Sequence, residues 1–121
     1  MAIRFGSDGF RGIIGQDFTL DNVARIAAAV SEWWPEDVGR WSGEIFIGYD
    51  NREMSLEAAQ HAYRLLKASG KFKPLLTLEA VPSPYISFLC AEFKRPLGIQ
   101  ITASHNPPNY NGVKLKGMHV G

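Results

Sequence analysis

Short runs of branched and aromatic residues alternate with stretches of helical periodicity, and this alternation most constrains the fold of the chain. Three runs are typical of buried strands: Ile45–Tyr49, Leu75–Leu78 and Gly98–Thr102. A fourth, Val113–Lys116, alternates apolar and basic residues, as a half-exposed strand does. Strands that alternate with helices build layered α/β folds through right-handed crossovers. The sequence therefore predicts an α/β fold in a single domain, residues 1–121, with a mixed, mostly parallel sheet and helices on both faces.

The N-terminal part of the chain combines a glycine-rich segment with the first predicted helix. The segment Phe5–Gly15 contains four glycines, which favours a tight, backbone-exposing turn over a regular element. Thr19 is the predicted N-cap of the helix, and Pro35 ends it. The apolar residues predicted to share its inner face are Leu20, Val23, Ile26, Ala27, Val30 and Trp33 or Trp34.

Two further helices are predicted from capping residues and periodicity. Ser55 is the expected cap of the second, and Gly70 is expected at its left-handed end. The residues predicted to point inward from this helix are Leu56, Ala59, Tyr63 and Leu66. Ser83, followed by proline, is the expected N-cap of the third helix, which ends near Phe93 and carries Cys90 into the core.

Charge and cysteine content exclude several classes of protein. Lys and Arg number 13 against 12 Asp and Glu, a net charge of +1 that argues against a nucleic-acid binder. Cys90 is the single cysteine, so an internal disulfide and a multi-cysteine zinc cluster are excluded, and a reducing compartment is indicated. The chain lacks the ~20-residue apolar run of a membrane span and the apolar core of a signal peptide. We therefore expect a cytoplasmic protein that binds neither nucleic acid nor membranes.

The most distinctive segment is the loop Thr102–Pro108, which directly follows a predicted strand. Ligands of open α/β sheets bind outside the carboxyl ends of the strands, so this loop is a candidate site. It places Ser104, His105 and Asn106 in adjacent positions and then restricts the backbone with two prolines. A serine on such a rigid turn can act as a nucleophile or a phosphate carrier. The same residues are common turn formers, so a purely structural turn remains an alternative.

Basic residues around this loop favour an anionic ligand. The segment from residue 93 to the C-terminus contains Lys114 and Lys116 and no Asp or Glu. If that part is a strand, both lysines lie on one face, beside the serine loop. The glycine-rich N-terminal segment contributes Arg11, whose guanidinium matches phosphate geometry. Together these features favour a phosphorylated small molecule.

Other interpretations of the polar residues stay open or are disfavoured. Asp50 and Arg52 follow a strand and either cap the next helix and tie down a loop or belong to the site. A hydrolase pair of Ser104 and His105 is disfavoured, because adjacent loop residues point apart and a G-x-S-x-G elbow is lacking. The glycines at 6, 9 and 12 do not form the G-x-G-x-x-G fingerprint of dinucleotide binding.

Three segments carry a resemblance to a known family. Gly98–Lys114 resembles the phosphoserine signature of the α-D-phosphohexomutase superfamily, which includes phosphoglucomutase, phosphomannomutase and phosphoglucosamine mutase. Phe5–Gly12 resembles the F-G-T-x-G-x-R-G opening of the family, and Gly48–Arg52 resembles its G-x-D-x-R segment. The segments occur in the family's order, and the resemblance covers nearly the whole chain.

The resemblance implies a phosphoryl-transfer mechanism and a role for each matching residue. Ser104 is implied to carry a phosphoryl group, to pass it to a hexose 1- or 6-phosphate, and to regain the other phosphate of the resulting 1,6-bisphosphate. Lys114 is implied to neutralise developing charge, and Arg11 to contact the phosphoryl oxygens. His105 matches the residue implied as a general acid/base, and Asn106 is expected to shape the loop and help bind phosphate.

The resemblance also implies cofactors and further domains. Family members bind Mg²⁺ through a D-x-D-x-D loop of a second domain and one oxygen of the phosphoserine, here on Ser104. Glucose 1,6-bisphosphate is the implied activator. The family enzymes have four domains, whereas this chain contains only the first and lacks a D-x-D-x-D segment. We therefore expect an N-terminal domain of a longer enzyme that folds alone but does not turn over, with the remaining domains and a hexose phosphate as its partners.

One departure and two other functions accompany this resemblance. Ser7 stands where the family usually has threonine; the hydroxyl is kept, so little consequence is expected. One alternative is a non-catalytic module that binds a phosphosugar or a protein partner through the same loop. Another is a regulatory protein that a separate kinase phosphorylates on Ser104 to create a docking charge.

Overall fold

In this computed structural model, the described residues 9–32 and 41–117 form five strands and three helices. In chain order these elements are β1 Phe10–Ile13, α1 Leu20–Ser31, β2 Glu44–Tyr49, α2 Ser55–Ala68, β3 Lys73–Leu76, α3 Ser83–Glu92, β4 Gly98–Ile101 and β5 Tyr110–Lys116. Within those ranges, no helix is long and apolar enough to cross a membrane. Trp33, Trp34, Pro35 and Ser7 lie outside the described residues.

All five strands belong to one sheet, with the order β1-β5-β4-β2-β3. β2 pairs in parallel with both β3 and β4, whereas β5 runs antiparallel to β4 and to β1. Four strands therefore point in one direction and β5 in the other, which confirms the predicted mixed, mostly parallel sheet.

The helices lie on both faces of this sheet, as predicted. α1 and α2 pack against each other over one face, where they cover the inward side chains of β2 and β4, such as Ile47 and Ile99. α3 lies over the opposite face, because its Ile86 and Cys90 contact the positions of Gly48 and Gly98. The crossovers β2–α2–β3 and β3–α3–β4 run in opposite directions along the sheet. Right-handed connections therefore place α2 and α3 on opposite faces.

Helix capping follows the predictions in part. The Thr19 hydroxyl accepts the backbone N–H of Asn22 at 3.1 Å, which confirms Thr19 as the N-cap of α1. Ser55 is not the cap of α2: Met54 occupies that position with φ 67°, and Ser55 is the first helical residue. Pro82, not Ser83, is the N-cap of α3.

The inner face of α2 agrees with the prediction in part. Leu56 is 40% exposed, and Leu20, which was predicted to lie on the inner face of α1, is 37% exposed. Of the other residues predicted to point inward from α2, Ala59 and Leu66 are buried and Tyr63 packs partly buried against the core. The remaining buried residues of α2 are Ser55, Ala58 and Ala62. Small residues on this face let α2 approach α1 closely, so the packed face is rotated away from the larger leucine.

The glycine-rich segment contains a strand that was not predicted. Phe10–Ile13 pairs with β5, where Phe10 lies opposite Val113 and Ile13 opposite Tyr110. Among the described residues of this segment, left-handed backbone occurs at Gly9 and Gly15, which have φ of 83° and 87°. Local glycine content favours a turn, but pairing with a distant strand prevails. Strand β3 also begins two residues earlier than predicted, which leaves Leu78 fully exposed.

Candidate functional site at the carboxyl ends of the strands

Two polar segments meet where neighbouring parallel strands end. Asp50–Arg52 follows β2, and the loop 102–109 follows β4 and leads into β5. β1 ends at the same edge, because Ile13 lies opposite Tyr110 at the start of β5. The sheet therefore brings the serine loop and the Asp50 segment together, as the chain order of strands and loops predicts. It also brings β1, which was not predicted as a strand, to the same edge.

Ser104 has an unusual backbone conformation within this loop. Its φ is 53°, in the left-handed region that non-glycine residues seldom occupy. Its N–H donates to the Thr102 hydroxyl oxygen at 3.0 Å. The residue is half-buried, and its own hydroxyl makes no hydrogen bond to any other residue in the described ranges. The serine oxygen is therefore available to an external group.

Arg52 crosses from the end of β2 into the serine loop. Its Nη2 donates to the carbonyl oxygens of Ser104 and Asn106 at 2.7 and 2.6 Å. Its Nη1 donates to the carbonyl oxygens of Pro107 and Tyr110 at 2.8 and 3.0 Å. The side chain of Arg52 is only 15% exposed. These contacts confirm that Arg52 ties down a loop, and that loop is the one that carries Ser104.

The Asp50 carboxylate connects this loop to α2. Its Oδ2 accepts the Thr102 hydroxyl at 2.6 Å and lies 3.6 Å from Arg52 Nε. Its Oδ1 accepts the Ser55 hydroxyl at 2.7 Å and the backbone N–H of Arg52 at 3.0 Å. Charge-assisted bonds of this kind are stronger than neutral ones, so Asp50 anchors both the loop and the start of α2.

Arg11 and Asn106 join β1 to the serine loop. Arg11 Nη1 donates to Asn106 Oδ1 at 2.9 Å, and Arg11 Nε is buried without a hydrogen-bond partner among the described residues. Arg11 lies opposite Gly112 on β5, so it shares a sheet face with Lys114, two residues further along. The sheet thus places two cations on one face, near the loop.

The two lysines of β5 have different surroundings. Lys114 is half-buried opposite Gln100 and makes no hydrogen bond or ion pair with another described residue. Lys116 lies opposite Gly98, at the start of β4, and is 7% exposed. Desolvation by burial lowers the pKa of Lys116 from its usual value. The prediction that Lys116 lies beside the serine loop is wrong, because the antiparallel β5 carries it to the far end of β4.

His105 differs from its neighbours in the loop because it is exposed. In the described part of the chain no hydrogen bond joins it to Ser104, so the structure offers no support for a hydrolase pair. An open depression of ≈ 570 Å³ lies beside the loop and is lined by Asp50, Asn51, Arg52, Glu53, Asn106 and Pro108. Ser104 is not among these residues, so the depression lies next to the Arg52 contacts rather than over the serine.

Two contributors to the site were not predicted from the sequence. Thr102 links Asp50 to the backbone of Ser104, as described above. Asn111 is fully buried, and its Nδ2 donates to the Glu53 carbonyl and the Ser55 hydroxyl, both at 2.8 Å. Thr102 lies 52 positions from Asp50, and Asn111 lies 58 and 56 positions from Glu53 and Ser55. Nothing in the local sequence pattern indicates these distant partners.

A Mg²⁺ site needs several oxygen ligands that converge on one point. In residues 9–32 and 41–117, no three His, Cys, Asp or Glu side chains form a group able to hold a metal ion. Asp50, the carboxylate that is hydrogen-bonded to the serine loop, already binds Thr102, Ser55 and Arg52. The described side chains therefore do not fit a Mg²⁺ site on their own.

Comparisons with known proteins give consistent results. The family model for phosphoglucomutase/phosphomannomutase, alpha/beta/alpha domain I, matches residues 2–120. A phosphoglucosamine mutase from Thermotoga maritima is 38% identical over 116 residues, which is 93% of this chain and 24% of the relative. A phosphoglucosamine mutase from Prochlorococcus marinus is 34% identical over 111 residues, 92% of this chain and 23% of the relative. This chain thus spans about a quarter of the length of these relatives.

Solved structures show the same architecture. A crystal structure described as a candidate phosphomannomutase from Thermus thermophilus superposes with a TM-score of 0.85 and 37% identity, covering 98% of this chain and 26% of that chain. A phosphoglucomutase/phosphomannomutase family protein from Burkholderia thailandensis shares the fold with a TM-score of 0.73 at 23% identity, over 94% of this chain and 26% of that chain. From the fold, the serine loop and the family model that matches residues 2–120, this chain belongs to the phosphoglucomutase/phosphomannomutase family as its α/β/α domain I.

Proposed function

We propose that this chain is the N-terminal domain of a longer phosphohexomutase and carries the phosphoserine of that enzyme. The proposal rests on the position of Ser104, whose hydroxyl has no hydrogen-bond partner among the described residues. The loop that carries Ser104 is held by Arg52 and is contacted by Arg11. The full enzyme interconverts hexose 1-phosphate and hexose 6-phosphate. The similarity to phosphoglucosamine mutases supports the reaction class.

Ser104 is the phosphoryl carrier in this proposal. The bond between its Oγ and phosphorus breaks while a sugar hydroxyl oxygen bonds to the phosphorus, which leaves a 1,6-bisphosphate. After the sugar reorients, the phosphorus of its other phosphate bonds to Ser104 Oγ, which gives up its proton. The bond between that phosphorus and the sugar oxygen breaks, and the sugar oxygen takes up a proton. Such transfer depends mainly on positioning and on stabilisation of charge. A loop fixed by several hydrogen bonds meets the first requirement.

Arg11 and Lys114 provide the positive charge in this proposal. They leave the same face of the sheet, and neither is paired with a carboxylate in the described residues. Arg11 contacts the phosphoryl oxygens and is oriented by Asn106, which lies within hydrogen-bond distance of it. Lys114 neutralises charge that develops on the transferred group. His105, exposed next to Ser104, accepts the proton of the sugar hydroxyl or returns it.

The cofactors of the proposed enzyme require more than this domain. Mg²⁺ supplies charge neutralisation when bound, and an oxygen of phosphorylated Ser104 is the one ligand that this chain is proposed to contribute. Glucose 1,6-bisphosphate is proposed as the activator that loads Ser104. Because further domains are proposed to complete the active site, the isolated chain is expected to fold but not to convert substrate.

Intact-mass spectrometry of the purified chain tests the proposal. The chain and Ser104→Ala are measured before and after incubation with glucose 1,6-bisphosphate and Mg²⁺. One phosphoryl adduct that maps to Ser104 and is lost in Ser104→Ala is the expected result. An adduct that persists in Ser104→Ala contradicts the assignment of the carrier. The absence of any adduct favours the non-catalytic phosphosugar-binding module.

A second assay tests the expected inactivity. The isolated chain is incubated with glucose 1-phosphate, mannose 1-phosphate or glucosamine 1-phosphate, each with the activator and Mg²⁺. We expect no formation of the corresponding 6-phosphate. Sustained turnover, lost in Ser104→Ala, contradicts the proposal that further domains are needed.

A further inference from the structure

The serine loop wraps around the Arg52 guanidinium. All four acceptors of its terminal nitrogens are backbone carbonyls, which belong to Ser104, Asn106, Pro107 and Tyr110. A guanidinium presents its N–H groups in a rigid, planar fork, so carbonyls that bind it must converge on fixed directions. Arg52 therefore constrains the path of the loop from the serine to the start of β5.

The backbone carbonyl and the backbone N–H of Ser104 are both linked by hydrogen bonds to the Asp50–Arg52 ion pair. The Ser104 carbonyl accepts from Arg52, and the Ser104 N–H donates to the Thr102 hydroxyl, which in turn donates to Asp50. Asp50 and Arg52 lie 3.6 Å apart at their nearest charged atoms. A residue with a left-handed φ persists only where its surroundings over-determine it. At Ser104 those surroundings are the Asp50–Arg52 pair.

We propose that Arg52, anchored by Asp50, is a positioning residue that holds Ser104 in its left-handed conformation for phosphoryl transfer. The functional part of this inference rests on the proposed role of Ser104 as phosphoryl carrier. Arg52 does not contact the phosphoryl donor, since its terminal nitrogens are used on loop carbonyls. Lysine cannot replace it, because an ammonium is a point donor on a flexible stem and cannot span four carbonyls.

Backbone dynamics test the structural part independently of activity. NMR order parameters of residues 103–109 are measured in the unmodified chain, in Arg52→Lys and in Arg52→Met. Arg64→Met, on the exposed surface of α2, is the matched control. We expect loop values to fall from about 0.85 to below about 0.6 in the Arg52 variants and to stay unchanged in the control. A loop that stays rigid in Arg52→Lys overturns the inference, even if Arg52→Met fails to fold.

Phosphorylation kinetics test the functional part. The initial rate of Ser104 phosphorylation by glucose 1,6-bisphosphate is followed by mass spectrometry at several donor concentrations. We expect Arg52→Lys to lower the maximal rate by roughly 10- to 100-fold, with an unchanged half-saturating concentration. An equal maximal rate in Arg52→Lys overturns the inference. If the unmodified chain takes up no phosphoryl group, the result contradicts the proposed role of Ser104 in the isolated chain and not the role of Arg52. The order parameters then test whether Arg52 positions the loop.

Discussion

Thr102 Oγ1 lies 2.6 Å from Asp50 Oδ2 and also accepts the N–H of Ser104. One hydroxyl thus donates to a carboxylate and accepts from the strained residue of the loop. Because Thr102 is 6% exposed, water cannot easily replace either bond when the hydroxyl is removed.

Thr102→Val is expected to lower the free energy of unfolding by about 2 to 3 kcal/mol, because a bond to a charged group is lost without change of shape. Thr102→Ser keeps the hydroxyl and is expected to cost about 1 kcal/mol for the buried methyl group. Urea denaturation of both variants gives the two values. If valine is tolerated as well as serine, the hydroxyl does not stabilise the loop.

Ser104→Gly is expected to stabilise the chain while removing the proposed phosphoryl carrier. An L-residue in the left-handed region costs roughly 1–2 kcal/mol, which glycine avoids, although glycine loses about 0.5–1 kcal/mol of backbone entropy on folding. Ser104→Ala is the matched control, since it loses the hydroxyl but keeps the backbone strain. In thermal and urea unfolding, the free energy of unfolding of Ser104→Gly is expected to exceed that of Ser104→Ala by about 1 kcal/mol. Equal stability of the two variants contradicts strain at this position.

The pH dependence of stability above pH 9 is expected to report on Cys90. Desolvation by burial raises the pKa of this thiol from 9.0 to about 11, although Lys116 and Arg95 nearby act in the opposite direction. As the pH rises, the thiol ionises in the unfolded chain before it ionises in the folded chain. The contribution of the buried thiol to the free energy of unfolding is therefore complete below about pH 9 and is lost as the pH rises from 9 to 11. A shift of this size corresponds to at most about 3 kcal/mol.

Cys90→Ala isolates this contribution from other titrating groups. Lys116 has a lowered pKa, so its titration makes stability rise with pH and opposes the effect of the thiol. Both proteins are unfolded in urea at about pH 8, 9, 10 and 11, which spans the titration of the thiol. We expect the stability difference between the unmodified chain and Cys90→Ala to shrink with rising pH. A constant difference contradicts a raised pKa for Cys90.

The layers of the fold and the edge that carries the site could be predicted from the sequence. Strand runs such as Ile45–Tyr49 and the cap at Thr19 are local patterns, and local patterns determine which elements alternate. Strand β1 could not be predicted, because the glycine-rich Phe10–Ile13 becomes a strand only by pairing with the distant β5. The position of Lys116 was predicted wrongly for a related reason. The register between β4 and β5, which the pattern of a single strand does not reveal, determines the end of the sheet at which Lys116 lies.

The residues of the serine loop were predictable, whereas the contacts that hold the loop were not. Ser104, His105 and Asn106 form a distinctive local segment of the sequence. Arg52 reaches carbonyls 52 to 58 residues away, and a backbone carbonyl has no side-chain identity that a sequence pattern can reveal. The left-handed φ of Ser104 has no sequence signature either, because the residue is not glycine.

Gly98 on β4 faces Cys90 on α3 so closely that a side chain does not fit. A Cβ on Gly98 would lie 2.6 Å from Cys90 Sγ, so Gly98→Ala is expected to destabilise the chain by about 1–3 kcal/mol through overpacking. Cys90→Ala removes the sulfur atom and leaves room for the new methyl group. The double variant is therefore expected to be more stable than the sum of the single effects by about 1 kcal/mol or more, as urea denaturation of all four proteins measures. Strictly additive effects would show that the close approach of β4 and α3 is not what excludes a side chain at this position.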